Sequence, residues 1–486
     1  PSLSFAHPTT LQIFRLWQVF LNNVHPLVML FHAPSVQQVI LDIATDPTSV
    51  NKATEALGFA IYLCAVASMT DSECLELTGE SKADSLNRFS RLSHEALFNS
   101  DCLQSNNIVV LQALTLYTVT SPSQSEKLTL LTGRAAQLAE ALGLHREERQ
   151  QDLPPFVKEI RRRLFWQVLI LDGRAAAAQR LGAGATAADP HFQDGSWDVR
   201  RPLNVSDSQL VPSMSMPPSE NDSPTEMLLC SIRIEIEQAM RRLEQHQQHP
   251  SLLARRAPPA FGAWLEQQQQ LQQVAVVEQT EQMIEQRLLR SCDACIPFHL
   301  LTAYQARSWL RQLRLSVYHP RQRGQNLDGG QQQPDERERL FSLAQQVLSY
   351  DNLIHSNPRF RRYLWLIGRD VPVDAVIVVL TELLSRSDNN NDDDDNDDKR
   401  NVIDRAWRQV IQIYEDHPAL INVARDNPLF LAIGLLTLKA WDSRSDRMTF
   451  KGRQTSSSST DYDQDEPPCI SRLRAQKVVV NPASFS

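Results

Sequence analysis

Charged residues flank and interrupt one apolar stretch, residues 159–181, which reads EIRRRLFWQVLILDGRAAAAQRL. The three arginines at 161–163 could bind phosphate. The carboxylates of Glu140, Glu159 and Asp172 could act as general acid and base if they faced one cleft. Their spacing does not require a shared cleft, and the arginines lack the interleaved basic and aromatic residues of a nucleic-acid surface. Salt bridges within the protein are therefore the favoured role of the arginines, and no catalytic residue is assigned.

Cysteines and histidines are the other candidate ligands. Seven cysteines are scattered through the chain, and an odd number at irregular spacing is typical of reduced thiols in an intracellular protein. Cys292 and Cys295 form a single CxxC without the second pair or nearby histidine of a zinc site, so a thiol pair at a helix end is expected. His145 and His191 are expected to cap helices or lie in the core. The sequence predicts no metal ligand, leaves any site for an organic cofactor unknown, and contains no GxSxG, HExxH, Walker-type or GxGxxG motif.

The charge distribution gives no sign of a nucleic-acid surface. The formal net charge is −8, and without the seven aspartates at 388–398 it is about −1. Phosphate attraction needs clustered Lys and Arg. The run at 388–398 also lacks the aromatic and large apolar residues that acidic activation segments use, so a solvated loop is expected there. Residues 460–470, TDYDQDEPPCI, combine acids with Tyr462 and Ile470 and are the better candidate for activation.

Apolar residues recur at helical spacing along most of the chain, which predicts an all-α fold. Ser125 is a candidate N-cap, and Gly143 suits the left-handed residue that ends a helix. Gly133 is small enough to let another helix approach. Residues 108–120 are rich in β-branched side chains and fit either a buried strand or a buried helix. Helices are predicted at residues 12–22, 35–44, 51–69, 81–100, 123–147, 159–181, 226–245, 274–290, 298–318, 341–354, 363–384, 402–415 and 429–441.

Neither of the two most apolar stretches is predicted to cross a membrane. Residues 11–31 contain Arg15 and other polar groups that are costly in hydrocarbon, so two buried helices with a break at Pro26 are expected. In residues 159–181 the apolar run is too short for a bilayer. A helix there would be buried nearly all round, and Asp172 would need a basic or hydrogen-bonding partner from another helix.

The rest of the chain suggests one large domain with surface additions. Residues 182–225 show no periodicity and predict a long connection. Residues 245–273 are Gln-rich and, like residues 387–399, are expected to be surface insertions. From residue 442 to residue 486 the chain is rich in Ser, Asp and Pro, which predicts a disordered tail.

Eight motifs in order resemble the regulatory domain of fungal-specific transcription factors, the family with an N-terminal binuclear zinc cluster. Among them are LTGRAAQLAEALGLHRE at 131–147 and EIRRRLFWQVLILDGRAAAAQRLG at 159–182. Together they cover most of residues 11–441, which the resemblance assigns to one regulatory domain. The motifs lie at residues 16–35, 131–147, 159–182, 202–210, 224–236, 295–322, 347–356 and 427–441.

The resemblance implies an all-helical nuclear regulator of RNA polymerase II transcription that serves one metabolic pathway. It implies a helix at 108–120 and structural roles for the arginines. Its partners would be the transcription machinery or co-regulators, with a small-molecule effector and a homodimer also compatible. The six-cysteine cluster is not in this sequence, so DNA binding and zinc are expected only with a segment upstream of Pro1. The alternatives are a stand-alone co-regulator that has lost the cluster and, third, a helical metabolic enzyme.

Overall fold

The computed structural model describes residues 3–121, 126–183, 190–193, 195–248, 259–318, 334–388, 397–422, 427–454 and 466–479. Within these ranges the regular structure is helical and no strand is formed, which confirms the predicted all-α fold. Residues Ile108–Val119 are a helix, as the resemblance implies. No helix in the described part of the chain combines the length and apolar character needed to span a bilayer.

The chain divides into two compact units. The first unit comprises residues 1–245, 278–306 and 358–368, and the second comprises residues 246–277, 307–357 and 369–486. The prediction of one regulatory domain over residues 1–441 did not foresee this division. The helices in chain order are α1 (Thr10–Asn23), α2 (His25–Val28), α3 (Ala33–Thr45), α4 (Lys52–Ser68), α5 (Asp71–Thr78), α6 (Lys82–Asn99), α7 (Ile108–Val119), α8 (Glu126–Ala141), α9 (Pro155–Ala183), α10 (Leu228–Gln248), α11 (Pro259–Met283), α12 (Pro297–Tyr318), α13 (Pro334–Ser356), α14 (Val373–Asp388), α15 (Asp397–Asp416), α16 (Ala419–Asn422), α17 (Pro428–Gln454) and α18 (Pro468–Val479).

Helix α4 is the centre of the first unit and packs against α1, α6 and α7. Its residues from Ala56 to Val66 are buried, so the helix is apolar on every side, as an internal helix must be. Local capping fixes the helix starts. The hydroxyl of Thr9 accepts from the N–H of Gln12, and the Gln12 side chain accepts from the N–H of Thr9, which is a capping box.

Helix α8 packs against α9 and ends as the sequence predicts. Gly143 has φ +69°, and the N–H of Leu144 donates to the carbonyl of Ala139, which is the Schellman arrangement. The expected close approach at Gly133 is wrong, because a Cβ at this position would meet no atom within 4 Å. The predicted N-cap Ser125 lies outside the described residues.

Four helices, α13, α14, α15 and α17, form the core of the second unit, with α18 packed against it. The predicted disorder after residue 442 is wrong for residues 442–454 and 468–479, which are helical. Cys469, Ile470 and Leu473 of α18 are buried in this core. The spacing i, i+1, i+4 gives α18 one apolar face, and burying that face stabilises a helix whose composition is otherwise polar.

Other predicted boundaries also needed correction. The Gln-rich residues 259–273 are part of α11 and not a partly flexible insertion. Residues 363–384 are not one helix. Short 3₁₀ turns precede Pro372, and α14 begins at Val373. The α conformation is disfavoured at the residue before a proline, so a helix does not continue through this position. Of the predicted insertion at 387–399, residues 387–388 belong to the end of α14 and residues 397–399 to the start of α15. Residues 389–396 lie outside the described residues.

Candidate functional site: the buried ionic network around Arg163

Arg163 lies on α9 with its side chain fully buried. Its guanidinium donates from Nε to Glu159 Oε1 at 3.2 Å, from Nη1 to Asp207 Oδ1 at 2.6 Å and from Nη2 to the carbonyl of Val205 at 3.3 Å. The planar fork of arginine allows it to serve several acceptors in fixed directions, which a lysine could not do. Arg163 therefore joins α9 to the irregular segment that follows this helix, of which residues 190–193 and 195–227 are described.

Asp207 is the point where this segment meets the helices near the N-terminus. Its Oδ2 accepts the backbone N–H of Ala33 at 2.8 Å and lies 3.2 Å from Nε2 of His25. Nε2 of His32 lies 3.0 Å from the carbonyl oxygen of Asp207. Burial alone would raise the pKa of the Asp207 carboxyl, but the hydrogen bond from His25 and the charge of Arg163 hold this pKa well below its usual range.

Glu159 shares Arg163 with Asp207 but has fewer donors. Its two oxygens accept the N–H of Leu203 at 3.1 and 3.2 Å. Burial is the dominant effect and raises the pKa of Glu159 in spite of the charge of Arg163. Asp207 is therefore the main counter-ion of Arg163, and Glu159 mainly holds the backbone of the segment. Arg163, Glu159, Asp207 and His25 are named the Arg163 network below.

The side chains of Asp172 and Arg241 also form hydrogen bonds to the backbone of the same irregular segment. The carboxylate of Asp172 accepts the N–H of His191 at 3.1 Å and the N–H of Phe192 at 2.9 Å. Arg241 of α10 donates to the carbonyl of Phe192 at 2.7 Å and to Glu237 Oε1 at 2.8 Å. The sequence correctly predicts that Asp172 needs a partner, but that partner is the backbone of the segment and not another helix.

The other two arginines of the run are also directed inward. Arg161 donates to the carbonyl of Leu142 at 2.6 Å, and Arg162 forms an ion pair with Glu147. Glu147 also accepts the N–H of Arg200 at 3.1 Å. The predicted salt bridges are formed by Arg162 and Arg163, whereas Arg161 bonds to a backbone carbonyl.

The carboxylates of Glu140, Glu159 and Asp172, the candidates for an acid–base site, each form a polar contact with another part of the protein. Glu140 lies 3.2 Å from Nε2 of His191, and the N–H of that histidine donates to Asp172. Glu159 precedes Asp172 by 13 residues on α9, which is roughly 20 Å along a helix. Glu159 is therefore remote from Asp172 and the three carboxylates do not meet in one cleft, although Glu140 and Asp172 contact the same residue, His191.

Candidate metal ligands fall into two groups. Cys292 and Cys295 form no disulfide and lie between a helical turn and the start of α12, as predicted for a helix-end pair. Among the residues that the structure describes, the one group with metal-ligand geometry is Asp351, His355 and His417, whose ligand atoms lie within 4.8 Å of one another. His145 and His191 are not part of such a group. Burial lowers the pKa of His145.

The group of Asp351, His355 and His417, named the histidine–aspartate cluster, lies in the second unit. Nδ1 of His355 lies 3.0 Å from the carbonyl oxygen of Asp351. Burial would lower the pKa of His355, but the hydrogen bond and the charge of Asp351 prevail and raise the pKa to about 9. Burial alone would raise the pKa of Asp351. Its hydrogen bonds to the two histidines together have the larger effect and lower this pKa below its usual value.

Sequence reasoning did not find either arrangement. Asp207 is 44 residues from Arg163 and 182 residues from His25, so no local pattern connects them. A local signal for the histidine–aspartate cluster does exist, because Asp351 and His355 are spaced i, i+4 on one face of α13. His417, which completes it, is 66 residues from Asp351.

Comparison with known proteins finds one matching domain model and several similar transcription factors. Residues 17–180, which include Arg163 and most of α9, match the sequence model of the fungal specific transcription factor domain. The aurofusarin cluster transcription factor aurR2 of Gibberella zeae is 39% identical over 445 residues, covering 91% of this chain and 62% of that protein. The transcriptional regulator AacuB of Aspergillus aculeatus is 28% identical over 452 residues, covering 91% of this chain and 56% of that protein. The pyriculol/pyriculariol biosynthesis cluster transcription factor 1 of Pyricularia oryzae is 26% identical over 446 residues, covering 90% and 56%.

The chain spans less than two thirds of the length of these three relatives. Its residues 17–180 match the fungal specific transcription factor domain, which confirms the resemblance drawn from its motifs.

Proposed function

We propose that this chain is the regulatory part of a fungal transcription factor that controls the genes of one biosynthetic cluster. The observation that carries the proposal is the similarity of 91% of the chain to the aurofusarin cluster transcription factor. A second relative is likewise named for a biosynthesis cluster. The proposal includes action in the nucleus on transcription by RNA polymerase II, with DNA contacted through a zinc cluster outside these residues.

The geometry of the first unit supports a regulatory role over an enzymatic one. The arginines at 161–163, in the motif at residues 159–182, are bonded inside the protein, where Arg163 and Asp207 hold a segment against the helices. Such a network can fix one conformation of the domain, because breaking a buried ion pair leaves an uncompensated charge. The partners would be the transcription machinery or co-regulator proteins, and a homodimer and a small-molecule effector remain predictions.

The candidate activation segment at 460–470 needs one revision. Ile470 has 1% of its surface exposed and lies in the core of the second unit. It is therefore not available to bind a partner while α18 is packed. Tyr462 lies outside the described residues. The acidic part of this segment is a candidate for activation without Ile470.

A fusion experiment tests the proposal. The full chain is joined to a heterologous DNA-binding domain and expressed with a reporter gene that carries the matching DNA sites. We expect reporter transcription to change several-fold relative to the DNA-binding domain alone. The fusion carrying Asp207→Asn should lose this effect, and one carrying Arg287→Met, at the exposed ion pair with Glu220, should keep it. A fusion that is expressed, nuclear and folded but leaves the reporter unchanged would contradict the proposal.

Occupancy of DNA by the native full-length protein separates the first choice from its alternative. Chromatin immunoprecipitation should recover promoters within one gene cluster. Recovery of promoters only in the presence of a second DNA-binding protein would favour the stand-alone co-regulator.

A further inference from the structure

The histidine–aspartate cluster is built by two helices of the second unit. Asp351 and His355 lie one turn apart on α13, and His417 follows the last residue of α15. Nε2 of His417 lies 2.9 Å from Asp351 Oδ2, and Nδ1 of His355 lies 3.3 Å from the same oxygen. The two imidazole rings are 4.7 Å apart between centroids.

The spacing of these atoms suits a metal ion. Ligand atoms that are each about 2.0–2.1 Å from a tetrahedral zinc ion lie about 3.3–3.4 Å from one another. Two of the pairs in the cluster are separated by 2.9 and 3.3 Å, and all three ligand atoms lie within 4.8 Å. A shift of a few tenths of an ångström would bring His417 Nε2 and Asp351 Oδ2 to the separation that zinc requires, and the two imidazole nitrogens lie within 4.8 Å of each other. Two neutral imidazole nitrogens and one carboxylate oxygen are also the ligand types that zinc commonly takes. Binding of the ion would therefore release the proton that His355 holds beside Asp351.

The surroundings of the cluster favour a cation. The side chains of His417 and His355 are only 3% and 7% exposed, and that of Asp351 is 14% exposed. The carboxylate of Asp416, next to His417, interacts electrostatically with all three residues. Its Oδ1 accepts from Gln412 Nε2 at 3.1 Å, whereas its Oδ2 is buried with no hydrogen-bond partner within the described ranges. Asp351 and Asp416 together would balance the two charges of the ion.

The backbone around the cluster holds the ligands in place. The N–H of His417 donates to the carbonyl of Ile413 at 2.9 Å, which fixes the residue at the end of α15. Leu420, three residues later, is fully buried in the core of the second unit. A ligand set held on packed helices loses little conformational freedom when it binds an ion.

We propose that Asp351, His355 and His417 form a binding site for one divalent transition-metal ion, with zinc as the preferred ion. The site crosslinks α13 to the end of α15 and is independent of any cysteine cluster. A solvent molecule completes the tetrahedral coordination, as at zinc sites with three protein ligands. The proposal does not depend on the regulatory function and concerns a different unit from the Arg163 network.

Zinc binding to the full chain tests the site. The protein is treated with a chelator and desalted, zinc chloride is titrated by calorimetry, and bound metal is measured by mass spectrometry. We expect one zinc ion per chain. His355→Gln and His417→Gln should each weaken binding by about 10- to 100-fold or more. His94→Gln, at an exposed histidine of α6, should bind like the native chain, and far-UV circular dichroism checks that each variant is folded.

A variant without Cys292 and Cys295 provides the critical control, because these cysteines are the other candidate zinc ligands. A chain with Cys292→Ser and Cys295→Ser should bind zinc with unchanged affinity. Cobalt(II) in the native chain should give the visible absorption of a tetrahedral site without a thiolate charge-transfer band. If His417→Gln does not fold, Asp351→Asn replaces it with the same expectation. Absence of binding to the native chain, undiminished binding to folded histidine variants, or loss of binding in the cysteine variant would each overturn the proposal.

Discussion

Nη1 of Arg163 donates to Oδ1 of Asp207 at 2.6 Å, across 44 residues of sequence. Arg163 lies on α9, within the motif at residues 159–182, and Asp207 belongs to the irregular segment after this helix. Because Asp207 also accepts the N–H of Ala33, one carboxylate connects α9, this segment and the start of α3. The first unit therefore depends on a small number of buried charges.

Replacing Asp207 by asparagine should destabilise the first unit strongly. The buried guanidinium of Arg163 would lose its main counter-ion, which typically costs about 3–5 kcal/mol. Hydrogen exchange of peptides covering residues 200–210 measures the local free energy of opening. Arg287→Met, at a pair with Glu220 whose side chains are 72% and 45% exposed, should cost less than about 1 kcal/mol. Equal protection in the native chain and Asp207→Asn would contradict the assignment.

A double variant separates the ion pair from simple packing. Combining Arg163→Met with Asp207→Asn removes both charges and leaves similar volumes. Buried pairs replaced by apolar residues often recover stability, so this variant should be more stable than Asp207→Asn alone. The coupling between the two positions, measured by a double-mutant cycle, should be about 0.5–3 kcal/mol. Strict additivity would show that the two side chains do not act as a pair.

Two glycines in adjacent helices should respond oppositely to alanine. A Cβ at Gly173 would lie 2.6 Å from Oε1 of Glu237, the buried partner of Arg241. Gly173→Ala should therefore cost about 1–3 kcal/mol. Gly133→Ala has no atom within 4 Å of the new Cβ and should stabilise α8 by about 0.5–1 kcal/mol. Thermal unfolding of both variants checks the difference, and a shift in the same direction would be inconsistent with this packing.

His7 should make the first unit sensitive to acid. Burial lowers the pKa of His7 to about 4; its ring stacks on Phe59 at 4.4 Å. Between pH 6.5 and 4 the unfolded chain binds more protons at this position than the folded chain. The unfolding free energy therefore falls as the pH falls through this window, by at most about 3 kcal/mol.

The native chain is compared with His7→Gln, which has no proton to bind at this position. Glu55 lies 4.0 Å from His7, and burial raises its pKa, so it titrates in the opposite sense in both proteins. The difference between the two pH profiles isolates His7. Parallel urea-unfolding profiles from pH 7 to pH 4 would refute the prediction.

Helix α18 should be an integral part of the second unit. Ile470 is 1% exposed, and truncating a buried isoleucine to alanine costs about 2–5 kcal/mol. Ile470→Ala should expose α18 to limited proteolysis, whereas Arg472→Ala, at an exposed position, should not. Equal cleavage rates would mean that α18 does not stabilise this unit.

Local patterns predicted most helices of this chain because capping residues and apolar stripes are local signals. Gly143 ends α8 as expected, since only a residue tolerant of positive φ suits that position. Helix α5 was missed although Thr70 and Glu73 form a capping box visible in the sequence. Its short length and polar composition gave no apolar periodicity.

The sites were less predictable than the helices. Arg163 was correctly expected to bond inside the protein, because a charge within an apolar helix needs a partner. The identity of that partner, Asp207, depends on how the irregular segment folds back, and no residue spacing encodes it. His417 likewise meets Asp351 only through packing of α13 and α15.

Transcript levels after deletion of the gene give the most direct test of the proposed regulatory function. The gene for this protein is deleted in its own organism, and all transcripts are sequenced under conditions in which it is expressed. The account predicts that one contiguous group of biosynthetic genes changes expression and that the full-length gene restores it. Unchanged transcripts across every such group, with the native protein shown to be present before deletion, would contradict the regulatory function.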